Sequence, residues 1–468
     1  MKKIVIRGFK KDKFSTEEIQ LAKDSKLELK GAYQFSTSRA AAEIYELEFD
    51  KTDLLEFVFD DNTTWVGGSD IIHDIFPEAA SQKRAIGDSF EIPMYLKTDE
   101  ANRSLLGDIA LKALNVFAKK GIPQKVIDIA ARLEMKVLEN MSGVYSINPD
   151  FKLSKAAVKN ADKPYLLFLH GTNSSTIGSF GEIRGSELWK NMQGIYGQNI
   201  IGLQHETMTK SPIQNVINLF KELPAVCTLH VISHSRGGLV GDVLARFSNG
   251  NTGFTVAELA YFEKTGRIND IANITTLQNL AAGKKITIDK FIRVACPAYG
   301  TTILSKRLDH FLNISLNLLG SLFGPVGTTL TAEFKELISA AVETKNDPDQ
   351  LPGLEAMNPA SPFLKILNNP DNSINSPLTV ISGNCGIKFN LKALLIIASK
   401  LFYLRDNDLV VDTKSMYCGT KRNIPIQYFF DEGPEVDHVH YFKNKKTDRK
   451  STRLNSSHSD LSRMPSSA

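Results

Sequence analysis

From about residue 160 onward, short apolar runs alternate with amphipathic segments, and this alternation restricts the possible folds more than any other feature of the chain. One helix is clearly marked, because Ser211 provides an N-cap and Pro212 a first-turn proline; we expect it to end near Leu223. Repeated strand, turn and helix predict an α/β fold, with a mostly parallel sheet and helices on both faces. The expected strands are PYLLFLHG, NIIGLQH, LHVIS, FIRVACPAYGT, PLTVISG and IPIQYFF.

Residues 1–155 have a different pattern and predict a small α+β N-terminal region. EIYELEFD and LLEFVFDDNTTWVGG alternate apolar and polar residues around turn-forming Asp and Asn, which is typical of paired strands. Two helices are expected next, the first ending at KKGIP and the second spanning 123–137 with Pro123 in its first turn. The first helix is predicted from apolar residues at helical spacing: Leu106, Ile109, Ala113, Leu114 and Phe117.

The change of pattern places an α/β domain at 156–446. Within it, the stretches near 249–288 and 297–376 are long for plain connections, so we expect them to form cap or lid elements. Residues 447–468 are polar, rich in Ser and without periodicity, and they resemble translated adapter sequence. We therefore expect a non-native tail there and a native C-terminus that is absent.

Charge and cysteine content narrow the range of partners. The formal net charge is +4, but residues 443–468 hold seven basic and two acidic side chains, which leaves 49 basic and 50 acidic side chains elsewhere. A basic balance confined to a tail gives no reason to expect a nucleic-acid partner. The four cysteines have no paired spacing, which fits neither a disulfide framework nor a zinc site and favours a cytoplasmic location.

We expect neither a signal peptide nor a transmembrane segment. The basic N-terminus lacks a long apolar stretch. The most lipid-like segment, FLNISLNLLGSLFGPVG at 311–327, is short and broken by Asn, Ser, Gly and Pro, which favours a buried or cap helix. ALLIIASKLFYL at 393–404 is predicted to be either an amphipathic helix packed on the sheet or part of an acyl pocket or lid.

The segment VISHSRGGLV joins a strand to a helix through a tight turn centred on Ser235. Such a turn needs small residues two positions before and after its centre, and these are Ser233 and Gly237. The following helix directs N–H groups and the positive end of its dipole at the serine oxygen, so the N–H of Arg236 is placed to donate to an oxyanion. Ser235 is therefore a candidate nucleophile.

A nucleophilic serine needs a base, and the base needs a carboxylate that orients it. YLRDNDLVVDT, which follows the PLTVISG strand, offers Asp406, Asp408 and Asp412 as acids. EVDHVHYFKN, which follows the last strand, offers His438 and His440 as bases. The residues alone leave both choices open, and the choice between Asp406 and Asp408 is the harder one.

The turn around Ser235 resembles the nucleophile elbow of the α/β-hydrolase superfamily, Gly-x-Ser-x-Gly, with a serine in place of the first glycine. The superfamily's chain order of nucleophile, acid and histidine is also the order here. NDLVV at 407–411 is similar to the Asn-Asp-Gly-apolar-Val stretch of bacterial lipases, with leucine in place of glycine, and this implies Asp408 as the acid. The Asp-His pair before apolar residues resembles the superfamily's histidine loop and implies His438 as the base.

FLHGTNSS is similar to the oxyanion loop of lipases, which implies that the N–H of Thr172 acts together with that of Arg236. His170, Gly171 and His234 are then expected to be structural. Residues 160–444, with motifs such as HGTNSSTIGSFGEI and CPAYGTTILSKRLD, resemble a poorly characterised bacterial family of lipase-like hydrolases without an established substrate.

The resemblance implies a serine hydrolase that cleaves small-molecule or lipid esters and needs no metal or cofactor. A different class stays open: a hydrolase-like binding or signalling module without turnover, part of a larger protein that engages partners through its N-terminal region. A metalloenzyme built on DND and HVH is disfavoured, because their spacing fits no helical ligand pair.

Overall fold

Two β-sheets organise the structure, which is a computed structural model. The first lies within residues 2–119 and the second within residues 143–433. The described residues are 2–11, 27–36, 42–50, 52–81, 89–98, 107–119, 125–155, 157–305, 307–323, 328–344, 350–385, 391–402, 406–433 and 436–443. The expected tail at 447–468 and Pro123 lie outside them.

The N-terminal sheet has eight strands: β1 (Lys2–Lys10), β2 (Leu27–Phe35), β3 (Glu43–Phe49), β4 (Leu54–Phe59), β5 (Thr64–Gly67), β6 (Ser89–Glu91), β7 (Tyr95–Leu96) and β8 (Ile109–Lys119). Its order is β3-β1-β2-β8-β4-β5, with β6 on β1 and β7 on β8, and every pair except β1–β6 is antiparallel. Strand β5 therefore forms one edge. Two short helices, α1 (Ile71–Ile75) and α2 (Glu78–Ser81), follow it.

The helix predicted across residues 106–117 is wrong, because the described part of this segment is strand β8. The register of its pairing with β4 shifts by one residue: Val58 pairs with Ala113, whereas the next residue, Phe59, pairs with Leu111. This bulge changes which face the side chains point to halfway along the strand. Apolar positions on both sides of the bulge then imitate helical spacing. The second predicted helix is confirmed as α3 (Val126–Val137).

The second sheet has eight strands in the order β10-β9-β12-β11-β13-β14-β15-β16. Strands β9 and β10 pair antiparallel at one edge, while all pairs from β12 to β16 are parallel. The sheet is therefore mixed, and the expected parallel arrangement describes only its β12-to-β16 part. The bounds are β9 (Gly143–Ile147), β10 (Leu153–Lys155), β11 (Tyr165–Leu169), β12 (Ile200–Gln204), β13 (Val226–His234), β14 (Lys285–Val294), β15 (Thr379–Cys385) and β16 (Gln427–Gly433).

Both faces of this sheet are covered, which explains why its strands are apolar runs rather than alternating ones. In β11, Leu166 and Phe168 belong to an apolar cluster with Trp189, while Leu167 and Leu169 belong to the larger cluster on the other face. The helices in this part of the chain are α4 (Thr176–Phe180), α5 (Glu187–Tyr196), α6 (Pro212–Glu222), α7 (Gly237–Arg246), α8 (Val256–Lys264) and α9 (Ile268–Ala282). Ser211 caps α6 as expected.

The two long insertions are helical. The first holds α8 and α9, and the second holds α10 (Leu308–Phe323), α11 (Thr328–Glu343), α12 (Pro352–Glu355) and α13 (Pro362–Leu367). Two further helices follow β15, namely α14 (Lys392–Leu401) and α15 (Thr413–Met416). None of the described helices has both the length and the apolar character needed to cross a bilayer. The four cysteines, all in described segments, form no disulfide.

Helix α7 packs so closely on β11 that only glycine fits at the contact. A Cβ added to Gly237 would lie 2.2 Å from the carbonyl oxygen of Leu169, which is backbone and has no freedom to move aside. Gly194 in α5 is a matched contrast, because a Cβ there would meet nothing within 4 Å.

Replacing Gly237 with alanine should lower the free energy of unfolding by at least about 2 kcal/mol, because the core around the turn is overpacked. The control Gly194→Ala should raise it by about 0.5–1 kcal/mol, since alanine favours helix. Urea unfolding monitored by circular dichroism measures both. Equal stability of Gly237→Ala and wild type would contradict the close approach of α7 and β11.

Candidate active site

Four loops at the carboxyl ends of parallel strands come together at one edge of the second sheet. They follow β11, β13, β15 and β16, and the carboxyl ends of parallel strands all lie on the same side of a sheet. Each loop contributes one of the residues singled out from the sequence. Residues far apart along the chain are thereby brought within hydrogen-bonding distance.

Ser235 lies at the turn between β13 and α7 with φ of +52°, a left-handed conformation that is unfavourable for residues other than glycine. Its N–H donates to the carbonyl of Val294 at 2.8 Å, which ties the turn to the end of β14. Ser233 is fully buried beneath it. The sharp turn lifts the Ser235 side chain above the sheet edge and fixes its direction.

Ser235, His438 and Asp408 form a continuous hydrogen-bonded chain. The distance from His438 Nε2 to Ser235 Oγ is 2.7 Å, and that from His438 Nδ1 to Asp408 Oδ2 is 2.8 Å. All three side chains are buried or nearly so, at 5%, 6% and 0% exposure for Ser235, His438 and Asp408. The arrangement can pass a proton from the hydroxyl to the imidazole and hold the ring in place.

The carboxylate of Asp408 is fully satisfied inside the protein. Its Oδ1 accepts the N–H groups of Val410 and Val411, at 3.2 and 2.9 Å. Its Oδ2 accepts the Tyr441 hydroxyl at 3.1 Å in addition to His438. Hydrogen bonds to an ionised carboxylate stabilise its charge in a buried position. Tyr441 was missed in the sequence, where nothing distinguishes it from a core aromatic.

Leu409 stands where the resembled lipase stretch has glycine, and it adopts the backbone conformation that glycine favours. It has φ of +83°, in the region that favours glycine, and this is the position at which the lipase stretch carries glycine. The turn conformation is therefore present although the residue is leucine. Leu409 N–H donates to the Asn407 side chain at 2.8 Å, which supports the turn.

The loop after β11 passes directly against the serine turn. A Cβ on Gly171 would lie 2.9 Å from the Cβ of Ser235. The Gly171 N–H donates to Ser179 Oγ at 3.2 Å, so α4 holds the loop in place. Within the described part of the chain, no hydrogen bond takes the backbone N–H of Thr172 or of Arg236.

The Arg236 side chain points away from the turn and is fully buried. Its guanidinium donates to the Gly353 carbonyl at 2.9 Å, to Asn215 Oδ1 at 3.0 Å and to the Lys210 carbonyl. Burial lowers its pKa to about 10, although the charge of Glu134 acts in the opposite direction. Arginine at this position therefore anchors the start of α7 to the segment around α12.

Three other histidines at this edge are held neutral. Burial lowers the pKa of His170 to about 4 and that of His234 to about 3, and it lowers the pKa of His205 well below its usual value. His234 Nε2 lies 2.7 Å from the His438 carbonyl oxygen, to which it donates, so it positions the backbone of the loop after β16. His170 Nδ1 donates to the Gly171 carbonyl at 3.0 Å, and its Nε2 accepts the His205 N–H at 3.1 Å.

The remaining candidates lie outside the hydrogen-bonded chain. Asp406 is exposed, and Asp412 precedes α15 as its N-cap residue. The His440 ring contacts Asp437 at 2.8 Å rather than Ser235. Among the described residues, no group of three or more His, Cys, Asp or Glu side chains is arranged to hold a metal ion.

A small pocket opens above Ser235 and His438. Its lining includes the apolar side chains of Phe311, Leu318 and Met357, and it also includes the polar side chains of Ser174 and Ser179. A mostly apolar lining with a few polar groups is typical of small-ligand sites.

The fold and these contacts define an α/β protein with a Ser–His–Asp chain at the carboxyl ends of its parallel strands. The profile of the family described as "Domain of unknown function (DUF7379)" matches residues 135–265 and 271–454, and the chain belongs to this family. No curated protein matches the sequence.

Several solved structures resemble the chain at low identity and low TM-score. Lipase BlEst2 of Bacillus licheniformis is 15% identical, with 66% of this chain and 97% of that chain covered and a TM-score of 0.32. Lipase 1 of Pelosinus fermentans is 13% identical, with 64% and 100% covered and a TM-score of 0.42. Carboxylesterase CesB of Bacillus subtilis is 10% identical, with 70% and 97% covered and a TM-score of 0.28. Because these TM-scores are low, the assignment of the fold rests on the strand order and the contacts of this chain.

The neutral histidines predict that stability falls in mild acid. In the unfolded chain each imidazole binds a proton near pH 6.5, whereas His170 and His234 stay neutral in the folded chain until about pH 4 and 3. Their lowered folded-state pKa values therefore stabilise the protein above pH 6.5, and this stabilisation is lost as the pH falls towards 4. From pH 7.5 to 5.5 each such histidine should lower the free energy of unfolding by about 1.4 kcal/mol. His170, His205 and His234, together with buried His230, whose pKa is lowered by burial to about 4, should therefore give a drop of about 5 kcal/mol, measured by urea unfolding.

The matched variant His234→Gln, whose amide can still donate to the His438 carbonyl, should lose about a quarter of this pH dependence, because His234 is one of four such histidines. A variant that keeps the full wild-type slope would show that His234 is not the titrating group. A wild-type stability that is flat across this range would contradict the neutral state of these histidines.

Proposed function

We propose that the protein is a serine hydrolase of the α/β-hydrolase fold that cleaves carboxylic esters. Ser235 is the nucleophile, His438 the general base and Asp408 the acid that orients it. The observation that carries this proposal is the pair of contacts at His438, 2.7 Å to Ser235 Oγ and 2.8 Å to Asp408 Oδ2. The unpaired N–H groups beside the serine turn and the pocket above it support the same assignment.

The reaction uses the two imidazole nitrogens for different tasks. Ser235 Oγ attacks the ester carbonyl carbon while His438 Nε2 takes the hydroxyl proton. Asp408 keeps the Nδ1 proton in place and stabilises the imidazolium that forms. When the tetrahedral intermediate collapses, the alkoxide leaves with the proton from His438 Nε2, and an acyl-serine remains.

The negative charge of the intermediate needs donors that are already in position. The N–H groups of Arg236 and Thr172 take this role, and their positions are supported by the buried Arg236 side chain and by the Gly171–Ser179 bond. Removal of one such donor typically lowers turnover on the order of 10²–10³-fold. Water then attacks the acyl-serine, with His438 again as base, and the carboxylic acid is released. The ester, water and these side chains supply every proton and electron pair.

Substitutions at Ser235 and at two of the three acid candidates test the proposal with p-nitrophenyl butyrate as substrate. Ser235→Ala should reduce turnover to background, and Asp408→Asn should lower it on the order of 10⁴-fold, because the ring then adopts the wrong tautomer. The control Asp406→Asn should stay within about twofold of wild type, because that side chain is exposed and two residues away.

Initial rates at saturating substrate, together with unfolding curves for each variant, separate loss of chemistry from loss of folding. Equal losses for Asp406→Asn and Asp408→Asn would overturn the acid assignment. A folded wild-type protein that hydrolyses no acyl ester would overturn the enzyme itself and favour the binding-module alternative.

A further inference from the structure

Helix α10 has two faces with different contacts. Phe311, Ser315 and Leu318 line the pocket above Ser235, and their spacing of four and three residues places them on one side of the helix. Asn313 and Asn317 lie on the opposite side and are buried, at 0% and 9% exposure. One helix therefore forms a wall of the pocket and at the same time contacts another part of the chain.

The two asparagines bind the edge of the N-terminal sheet. Asn313 accepts the Val66 N–H and donates to the Val66 carbonyl, both at 2.7 Å. Asn317 makes the same pair of bonds to Thr64, at 2.8 and 2.7 Å. Thr64 and Val66 belong to edge strand β5. Their outward N–H and C=O groups are those that a further strand would pair with, and the asparagines bind them instead.

Each amide is also fixed to its own helix. Asn313 Nδ2 donates to the Asp309 carbonyl and Asn317 Nδ2 to the Asn313 carbonyl, both at 2.8 Å. These bonds determine the direction of each side chain, so a shift of β5 is passed to α10 rather than absorbed by a flexible contact. The buried ion pair between Lys335 and Glu56, at 2.7 Å, ties the neighbouring helix α11 to β4.

We infer that the N-terminal sheet is part of the substrate-binding apparatus: it holds α10 in place, and α10 forms the wall that receives an apolar acyl chain. The inference rests on the proposed ester hydrolysis. The acyl chain is assigned to this wall because α10 presents the large apolar side chains of Phe311 and Leu318 to the pocket, whereas Ser179 of α4 suits a polar alcohol group. Asn313 and Asn317 are positioning residues, and the substrate class is esters with acyl chains longer than acetyl.

The double variant Asn313→Ala, Asn317→Ala tests this with p-nitrophenyl acetate and p-nitrophenyl octanoate. The ratio of kcat/KM for octanoate to that for acetate should fall at least tenfold. The fall should come mainly from a higher KM for octanoate, because the acyl wall is displaced while the Ser–His–Asp chain is untouched. A purely structural role would lower the rates on both esters by the same factor.

The control is Arg132→Gln, which removes a partly buried ion pair at 3.2 Å between α3 and Glu336 of α11 without touching α10. It should leave the octanoate-to-acetate ratio unchanged. Should the double variant not fold, Ser315→Phe keeps both asparagines and fills the pocket from the same helix. It should lower kcat/KM for octanoate at least tenfold more than for acetate.

Two kinds of failure are distinguishable. If wild type hydrolyses neither ester, the proposed function falls and this inference with it. If wild type hydrolyses both esters but the octanoate-to-acetate ratio is unchanged in the double variant, the inference alone is overturned. If only Ser315→Phe folds, an unchanged ratio in that variant has the same meaning.

Discussion

The contact between the start of helix α7 and the end of strand β11 is the constraint on which the rest of the site depends. At Gly237 the helix lies so close to the Leu169 carbonyl that no side chain fits. The chain can make this contact only by turning sharply after β13, and the turn places Ser235 at φ of +52°. Strain of this kind persists only where surrounding packing enforces it. Here the Val294 carbonyl and the buried Arg236 side chain hold the two ends of the turn.

The buried ionisable groups around this turn are of two kinds. The histidines remain neutral, whereas the carboxylate of Asp408 is surrounded by hydrogen-bond donors. The histidines His170 and His234 are neutral because burial penalises the imidazolium form. Asp408 is just as buried, but four hydrogen bonds reach its carboxylate, two of them from backbone N–H groups. A positive charge on His438 would therefore have the Asp408 carboxylate within hydrogen-bonding distance, while the neighbouring His234 ring stays neutral.

Much of the second sheet could be predicted from the sequence, because strands buried on both faces are continuous apolar runs such as YLLFL in β11. The loops that meet at its edge followed from the same reasoning, whereas the choice of Asp408 and His438 among the candidates came from the resemblance to the α/β-hydrolase superfamily. The helix across 106–117 failed because the register shift near Val58 gave a strand an apolar spacing that imitates a helix. Tyr441 and the asparagine pair of α10 left no signal, since their roles come from contacts between segments as far as 253 residues apart.

The central claim is that Ser235 is a nucleophile, and covalent trapping tests it most directly. Wild-type protein is treated with a fluorophosphonate, which reacts only with a serine oxygen that an adjacent base activates. Peptide mass spectrometry then locates the adduct. The account predicts one phosphonate on the peptide that contains Ser235, and none in the folded Ser235→Ala variant. An unmodified wild-type protein, or an adduct on a different residue, would contradict it.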